Sequence, residues 1–180
     1  MVKGGALTGE KVEAWRQRLD EQEALKTMKQ RAEEGDVEAM AELGKSYRDG
    51  KNGATKDEAA GFRWHKLAAD KGHIEALKRI GRNYLQGKGV AQCTFRALHY
   101  LTRAATRDSE HACYLLADAF ARGLNGVPED EVLARTWFTR MRSPAVARDG
   151  NDPSRTREEA DKWLRDHPGP AVQAELYSSV

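Results

Sequence analysis

The sequence has no long apolar run, and this absence bears first on membranes. No stretch approaches the roughly 20 apolar residues that a transmembrane helix needs. Residues 1–10 contain one lysine and no apolar segment, so they do not match a secretory signal. We therefore expect a soluble chain that does not insert directly into a membrane, with no signal that specifies its compartment.

Apolar and aromatic residues are scarce for a chain of 180 residues. Hydrophobic residues make up 39% of the sequence and aromatic residues 7%, and the mean hydropathy is −0.77. A single compact globule of this length usually has a richer apolar core. A thin core is typical of repeat proteins, because each repeat buries one face against its neighbours.

An excess of charge of one sign is also missing. The 30 basic and 28 acidic residues give a net charge of +2, which creates no strong field toward nucleic acid or an anionic membrane. The isoelectric point of about 8.5 lies below the value of about 9 that is expected of nucleic-acid-binding domains. An RNA-binding helical repeat of the pentatricopeptide kind has a similar repeat length and is retained as a lesser alternative.

Two cysteines are too few for a disulfide framework. Cys93 and Cys113 fall near the starts of two successive antiparallel helices, so their thiols are expected to lie about a helix length apart. A disulfide needs Cα atoms within about 7 Å. We predict free thiols and a reducing compartment such as the cytoplasm.

What the sequence does contain is a block of residue types that recurs three times. The interval is 37 positions from Ala39 to Ala76 and 36 from Ala76 to Ala112. A period in this range is typical of a helical solenoid. The recurring residues are, copy by copy, Gly35, Ala39, Leu43, Gly44, Tyr47 and Gly50; Gly72, Ala76, Ile80, Gly81, Tyr84 and Gly87; and Asp108, Ala112, Leu116, Ala117, Phe120 and Gly123.

Each repeat is predicted to form two amphipathic helices. In the first helix, Ala39, Leu43 and Tyr47 recur at a spacing of four and line one face. In the second helix, small residues alternate with the aromatic residues Trp64, Tyr100 and Trp137. We expect these three aromatic side chains to be core residues and not stacking platforms for bases. The N-caps are predicted at Asp36 and Ser109, and glycines end the first helices at Gly50, Gly87 and Gly123.

Two glycines inside the first helices carry a cost that needs a reason. Gly44 and Gly81 hold the same repeat position, and each is about 1 kcal/mol less favourable in a helix than alanine. A cost that recurs at one position predicts a close approach of the backbones of the paired helices.

The flanks of the repeats predict a capping helix at each end. Residues 1–10 are expected to be a flexible N-terminus, followed by a capping helix over 11–34 and by repeats over 35–71, 72–107 and 108–142. Residues 143–167 hold a loop and a C-terminal capping helix, whose start is predicted at Thr156 because Thr156 and Glu159 match a capping box. Ala160 and Trp163 repeat the second-helix spacing, and residues 168–180 are expected to be a tail.

The pattern resembles the Sel-one-like (Sel1-like) repeat, a relative of the tetratricopeptide repeat. The residues that carry this resemblance are Leu43, Gly44, Tyr47 and Gly50, the glycine loop after them, and then Trp64, Ala68, Ala69 and Gly72. The resemblance implies an all-α, right-handed superhelix of about three helix pairs. It also implies an adaptor or scaffold in protein complexes, without catalytic activity of its own.

In a tetratricopeptide-like geometry the first helices line a concave face, and their exposed positions are candidate contacts for a partner. Lysine and arginine there can bind a carboxylate or an acidic peptide through charge-assisted hydrogen bonds. The alternative is a merely solvated helix face. The predicted contacts are Lys45, Arg48, Lys78, Arg82, Tyr114, Asp118 and Arg122.

Nothing in the sequence specifies chemistry, so we expect no enzyme, no cofactor, no metal and no small-molecule substrate. No histidine pair has metal-ligand spacing on a helix, and no base is specified for Cys113 as a nucleophile. Some secreted relatives in the resembled family are cysteine-rich and linked to penicillin binding or β-lactam hydrolysis. This chain lacks their cysteine pairs and any Ser-x-x-Lys.

Two functions of different kinds therefore remain open. The first is an adaptor that binds a protein or peptide, including an acidic one, on the concave face. The second is a structural accessory subunit, docked permanently in a larger complex that is organellar or membrane-associated. Their partners cannot be named from these residues.

Overall fold

The structure is a computed structural model that describes residues 9–143 and 153–169. Within these ranges the chain forms α-helices and one 3₁₀ turn, at Leu124–Gly126, and no β-strand. The expected all-α class is confirmed. The helices are α1 (Gly9–Glu33), α2 (Val37–Asp49), α3 (Glu58–Asp70), α4 (Ile74–Gln86), α5 (Thr94–Ala105), α6 (Glu110–Arg122), α7 (Glu131–Met141) and α8 (Pro153–Asp166).

The chain divides into two compact units. Unit 1 comprises Met1–Ala76 and Gly87–Ala91, and unit 2 comprises Leu77–Gln86 and Gln92–Val180. The boundary falls within α4. In unit 1, α1 packs on α2 and α2 on α3; in unit 2, α5 and α7 both pack on α6. The first helices of the three repeats are α2, α4 and α6, and the second helices are α3, α5 and α7.

Side-chain caps fix where the helices begin. The side chains of Asp36 and Ser109 accept hydrogen bonds from backbone N–H groups in the first turns of α2 and α6, as predicted. Asp57 and Asp130 do the same for α3 and α7. Cys93 holds the equivalent place before α5, but its side chain makes no capping hydrogen bond. The second repeat therefore lacks a cap that the other two have.

The predicted close approach of backbones is confirmed in unit 1, where the Gly44 carbonyl faces Gly61, whereas in unit 2 Gly81 lies against a side chain of the second helix. In unit 1, a Cβ at Gly44 would lie 2.6 Å from Nδ1 of His65, and one at Gly61 would lie 2.9 Å from the Gly44 carbonyl oxygen. In unit 2, a Cβ at Gly81 would lie 2.6 Å from Cγ of Leu101. Carbon atoms normally pack at about 3.5–4.0 Å. The paired helices approach too closely at these positions for any side chain.

The aromatic residues of the second helices are only partly in the core, which corrects the sequence prediction. Tyr100 is buried and stacks on Tyr84 with ring centroids 5.9 Å apart, but Trp64 and Trp137 are half-buried. Instead, the following residues of α3 and α7, His65 and Phe138, are buried. His65 and Phe138 lie nearer the centre of the buried stripe of their helices. Because successive residues of a helix are about 100° apart, the preceding tryptophans lie to one side of that centre.

The C-terminal helix also differs from its prediction. α8 begins at Pro153, and Thr156 is therefore inside the helix and not its cap. Proline suits the first position of a helix, because an N–H there has no partner within the helix. The predicted loop over 144–152 and the tail beyond 169 lie outside the described residues, as do residues 1–8. At the other end, Gly9 and Glu10 are already helical, ahead of the predicted start at residue 11.

α8 holds the place of a first helix, although Ala160 and Trp163 suggested the spacing of a second one. Its Arg157 forms an ion pair with the buried Glu110 of α6, with Nε 2.6 Å from Oε1. Trp163 packs on Phe138 of α7, with ring centroids 5.1 Å apart. A helix that contacts both members of the preceding pair continues the repeat order as the next first helix.

Candidate functional site

The seven predicted contact residues are distributed over both units. Lys45 and Arg48 lie on α2 in unit 1, and the other five lie on α4 and α6 in unit 2. Each side chain can be judged by its exposure and by the partner it already has, because a charged group bound within the chain is less available to a ligand.

Lys45 is the predicted residue that most resembles a free binding group. Its side chain is exposed and has no ion pair among the described residues. It lies on the wall of a cleft of about 400 Å³ that α1 forms with α2 and the following loop. The lining residues are Glu21, Ala24, Met28, Glu42, Lys45 and Asn52.

Arg48 already has a carboxylate partner. Its Nε and Nη2 donate to the two carboxylate oxygens of Asp49 at 2.6 and 2.7 Å. The hydrogen bond to Asp49 raises the pKa of the Arg48 guanidinium, and burial opposes this. A ligand carboxylate at Arg48 would have to compete with the chain's own Asp49.

Lys78 was predicted to be exposed, and this prediction is wrong. Only 5% of the residue is exposed. It stands two positions after the repeat alanine, as Ala41 and Tyr114 do in the other repeats. In repeat three this position faces a neighbouring helix, since Tyr114 reaches α8. The apolar pattern of one helix predicted an exposed position, because it does not show that a first helix can also pack against a neighbouring helix on its flank.

Arg82 is half-buried and has no carboxylate partner among residues 9–143 and 153–169. It stands six positions after the repeat alanine of its repeat. Lys45 stands at the same position in repeat one, and Asp118 in repeat three. Two repeats thus place a cation without an internal partner at one equivalent first-helix position, and the third repeat places an acid there.

Tyr114 holds the C-terminal helix and is not free for a partner. Its hydroxyl donates a short hydrogen bond to Oε2 of Glu159 on α8. Burial raises the pKa of Tyr114 above its ordinary value of 10.0, and the bond to Glu159 raises it further. The same bond lowers the pKa of Glu159, and a hydrogen bond from Arg155 adds to the effect. The pair is therefore a neutral donor and an anionic acceptor at neutral pH.

Asp118 and Arg122 form an ion pair on α6, with Oδ1 2.6 Å from Nε. Burial raises the pKa of the Asp118 carboxyl, and Arg122 opposes that shift. These two residues satisfy each other one helical turn apart, so neither adds a free charge to the predicted site.

No metal-binding constellation emerges from the described part of the chain. It contains no group of three or more histidine, cysteine, aspartate or glutamate residues placed to hold a metal ion. Cys93 is half-buried, Cys113 is buried, and both are free thiols, which confirms the prediction that they do not pair. Of the helices within these residues, none combines the length and the apolar character needed to cross a bilayer.

The sequence interpretation missed an exposed apolar stripe on α1. Val12, Trp15 and Leu19 are 40%, 67% and 44% exposed. Their spacing of three and four was visible in the sequence. The expectation of a single capping helix, buried along one face, gave no reason to treat its first half separately.

Comparison with known proteins agrees with the repeat pattern. A family model described as Sel1 repeat matches residues 37–73, 74–109 and 110–141, more than half of the chain. Each matched repeat begins two residues after the predicted one. No curated protein matches this chain.

Two solved structures are similar to the described fold. A Sel1 repeat protein from Oxalobacter formigenes is 34% identical with a TM-score of 0.59, over 64% of this chain and 87% of that one. A protective antigen present in uropathogenic Escherichia coli strains, which displays an SLR fold, is 26% identical with a TM-score of 0.63. That similarity covers 81% of this chain and 33% of the antigen.

Proposed function

The chain belongs to the Sel1 repeat family, and from that premise we propose that it is an adaptor that binds an acidic segment of a partner protein. Proteins of this family are in general non-catalytic scaffolds for protein interaction. The segment is a peptide or a helix, and the binding surface is the first-helix face that was predicted to be concave.

The observation that carries this proposal is the state of the cations on the first helices. Arg48 and Arg122 are bound by carboxylates of their own helices, and Lys78 is buried. Lys45 and Arg82 occupy equivalent positions in repeats one and two, and neither has a carboxylate partner among the residues described. Cations without an internal partner gain most from a ligand carboxylate, because binding breaks no existing ion pair.

One observation favours a second candidate, the permanently docked accessory subunit. Phe95 and Val132 are 87% and 73% exposed, and each is the second residue of a second helix, α5 or α7. Exposed apolar side chains that recur at one repeat position would give a docked partner a regular set of apolar contacts. A subunit of this kind co-purifies with its complex through every step, whereas an adaptor is recovered as a stable free chain.

Charge reversal tests the adaptor proposal. The tagged chain captures partners from extracts of the cells that express it, and the dissociation constant is then measured with the purified partner. The double variant Lys45→Glu and Arg82→Glu should bind at least about tenfold more weakly, since each lost ion pair becomes a repulsion. The control variant, Arg63→Glu, reverses an exposed charge on the second helix α3 and should bind normally. Equal affinities of the double variant and the parent would refute the proposal.

A further inference from the structure

The first half of α1 is not covered by the other described residues of unit 1. Every residue from 9 to 20 is exposed. Burial begins only in the second half, with half-buried positions at Glu21, Leu25, Met28 and Lys29 and the fully buried Ala32. The second half of α1 therefore packs on the repeats, and the first three turns do not.

These three turns are amphipathic in a specific way. Val12, Trp15 and Leu19 follow one another at spacings of three and four, which places them along one face. A surface recess of about 560 Å³ is lined by Val12 and Trp15 of this face and by Lys11, Ala14 and Arg18 to one side of it. A tryptophan that is 67% exposed at the centre of an apolar stripe is unusual on a surface with no partner, because large apolar patches generally mark interaction sites.

The charges around the stripe are segregated. At about 100° per residue, Lys11 and Arg18 lie within about 60° of Trp15, and both line the recess. Arg16 lies on the other flank of the stripe, together with Glu23. Of the remaining acids of the first half, Glu10 falls on the opposite side of the helix, and Glu13 and Asp20 lie beyond Arg16, more than about 100° from the centre of the stripe. The apolar face is therefore bordered mainly by cations.

We propose that this face, formed by Lys11, Val12, Trp15, Arg18 and Leu19, binds an acidic amphipathic helix of a partner protein. The three apolar side chains form one seam of the kind that packs two helices along their length. The bordering cations select acidic residues at the flanks of the partner's own seam. This surface is separate from the first-helix cations of the proposed function and does not depend on them.

A second copy of the chain fits this face less well than an acidic helix. If two copies paired in antiparallel orientation, Lys11 of one would lie beside Arg18 of the other. In parallel orientation Lys11 would lie beside Arg16. Like charges at the flanking positions of a helical seam oppose pairing, so the charge pattern favours a partner of different sequence.

The test uses the full chain and two synthetic helical peptides as probes. Both have leucine at every seam position; one has glutamate at the flanking positions and the other has lysine. Binding of the labelled peptides is followed by fluorescence anisotropy. The parent should bind the glutamate peptide and not the lysine peptide, and Trp15→Ala should weaken binding by about tenfold or more, as truncation of a central aromatic contact does.

Charge reversal and a matched control make the test specific. The variant Lys11→Glu and Arg18→Glu should lose the glutamate peptide and gain the lysine peptide. Phe95→Ala removes an exposed aromatic ring elsewhere, and Arg63→Glu reverses an exposed charge elsewhere, so both should bind like the parent. Circular dichroism should be unchanged for all variants, since these side chains are exposed.

Three results would overturn the proposal. The first is no preference of the parent for the glutamate peptide over the lysine peptide. The second is binding to phosphatidylglycerol vesicles that depends on Trp15, without binding to the glutamate peptide, which would identify a membrane surface. The third is a Trp15-dependent dimer in sedimentation at the concentrations used, which would identify a second copy as the occupant.

Discussion

The closest contact between paired helices in unit 2 can be tested by adding one methyl group at Gly81. A Cβ there would lie 2.6 Å from Cγ and 2.7 Å from Cδ2 of Leu101. Gly81 is buried and Leu101 is fully buried, so neither can move into solvent. Overpacking of this kind costs about 1–3 kcal/mol. Alanine recovers about 1 kcal/mol in helix propensity, so Gly81→Ala should lose about 0–2 kcal/mol of unfolding free energy.

A double-mutant cycle separates the contact from the propensity gain. Leu101→Ala alone should cost about 2–5 kcal/mol, because it leaves a cavity in a filled core. In the double variant the methyl group at position 81 no longer meets the Leu101 side chain. The double variant should therefore be more stable than the sum of the single losses predicts, by about 1–3 kcal/mol.

The assay is urea unfolding followed by circular dichroism at 222 nm, with the slope of the free energy against urea compared across the four proteins. Additivity of the two substitutions within about 0.5 kcal/mol would refute the packing argument, because residues in contact do not behave independently. Gly81→Leu, which adds three further carbon atoms in the same space, should be less stable than Gly81→Ala.

Three further predictions follow from single contacts. Cys93→Asp should raise the unfolding free energy by about 1 kcal/mol, because α5 would gain the side-chain cap that it lacks. Lys78→Glu should lower it by about 2–5 kcal/mol, since the charge of a buried residue is reversed, whereas Lys45→Glu should change it by less than about 0.5 kcal/mol. The hydrogen bond from Tyr114 lowers the pKa of Glu159 in the folded chain below its ordinary value of 4.5. The stability that this bond contributes is therefore present above pH 4.5 and is lost as the pH falls through the folded pKa. Tyr114→Phe should make this acid-side loss of stability smaller.

Each of these predictions has a result that contradicts it. An unchanged melting temperature for the aspartate variant at position 93 would argue against the missing cap. Equal stabilities of the two glutamate variants would contradict the burial of Lys78. For the acid-side prediction, the parent and Tyr114→Phe are unfolded in urea at a series of pH values from about 6 down to about 2. This series spans the range over which a perturbed carboxyl group titrates. Parallel curves would show that the Tyr114 bond does not perturb Glu159.

The sequence predicted the repeat and most helix boundaries because those features depend on local residues. Asp36 and Ser109 cap helices through their own side chains, and Gly44 and Gly81 stand out because glycine inside a helix needs a packing reason. These signals are contained within a few residues and survive without knowledge of neighbours.

The errors occurred where a third or fourth helix determines the outcome. Lys78 is buried, which the periodicity of α4 alone does not reveal. Tyr114 is engaged by Glu159, which lies 45 positions later on a helix whose place in the repeat order was assigned wrongly. Trp64 and Trp137 lie beside the stripe centre, and only the position of the packed neighbour decides which side is covered.

In the structure, most of the seven predicted contact residues are buried or already bound within the chain. Three of the seven predicted residues are bound by a partner on their own helix: Arg48 by Asp49, and Asp118 and Arg122 by each other. The pairing of Asp118 with Arg122 could have been predicted from the sequence, since residues four apart on a helix are neighbours, whereas adjacent residues such as Arg48 and Asp49 do not in general face each other. Of the predicted contact residues, Lys45 in unit 1 and Arg82 in unit 2 are left without a carboxylate partner among the described residues.

The most direct test of the central claim is site-specific photo-crosslinking in the cells that express the chain. A photoreactive phenylalanine analogue replaces Lys45 in one protein and Arg63, on the second helix of the same repeat, in another. A crosslinked partner protein is expected from position 45, with an acidic segment at the site of attachment, and none from position 63. Crosslinks from position 63 alone, or equal crosslinks from both positions, would contradict binding at the first-helix face.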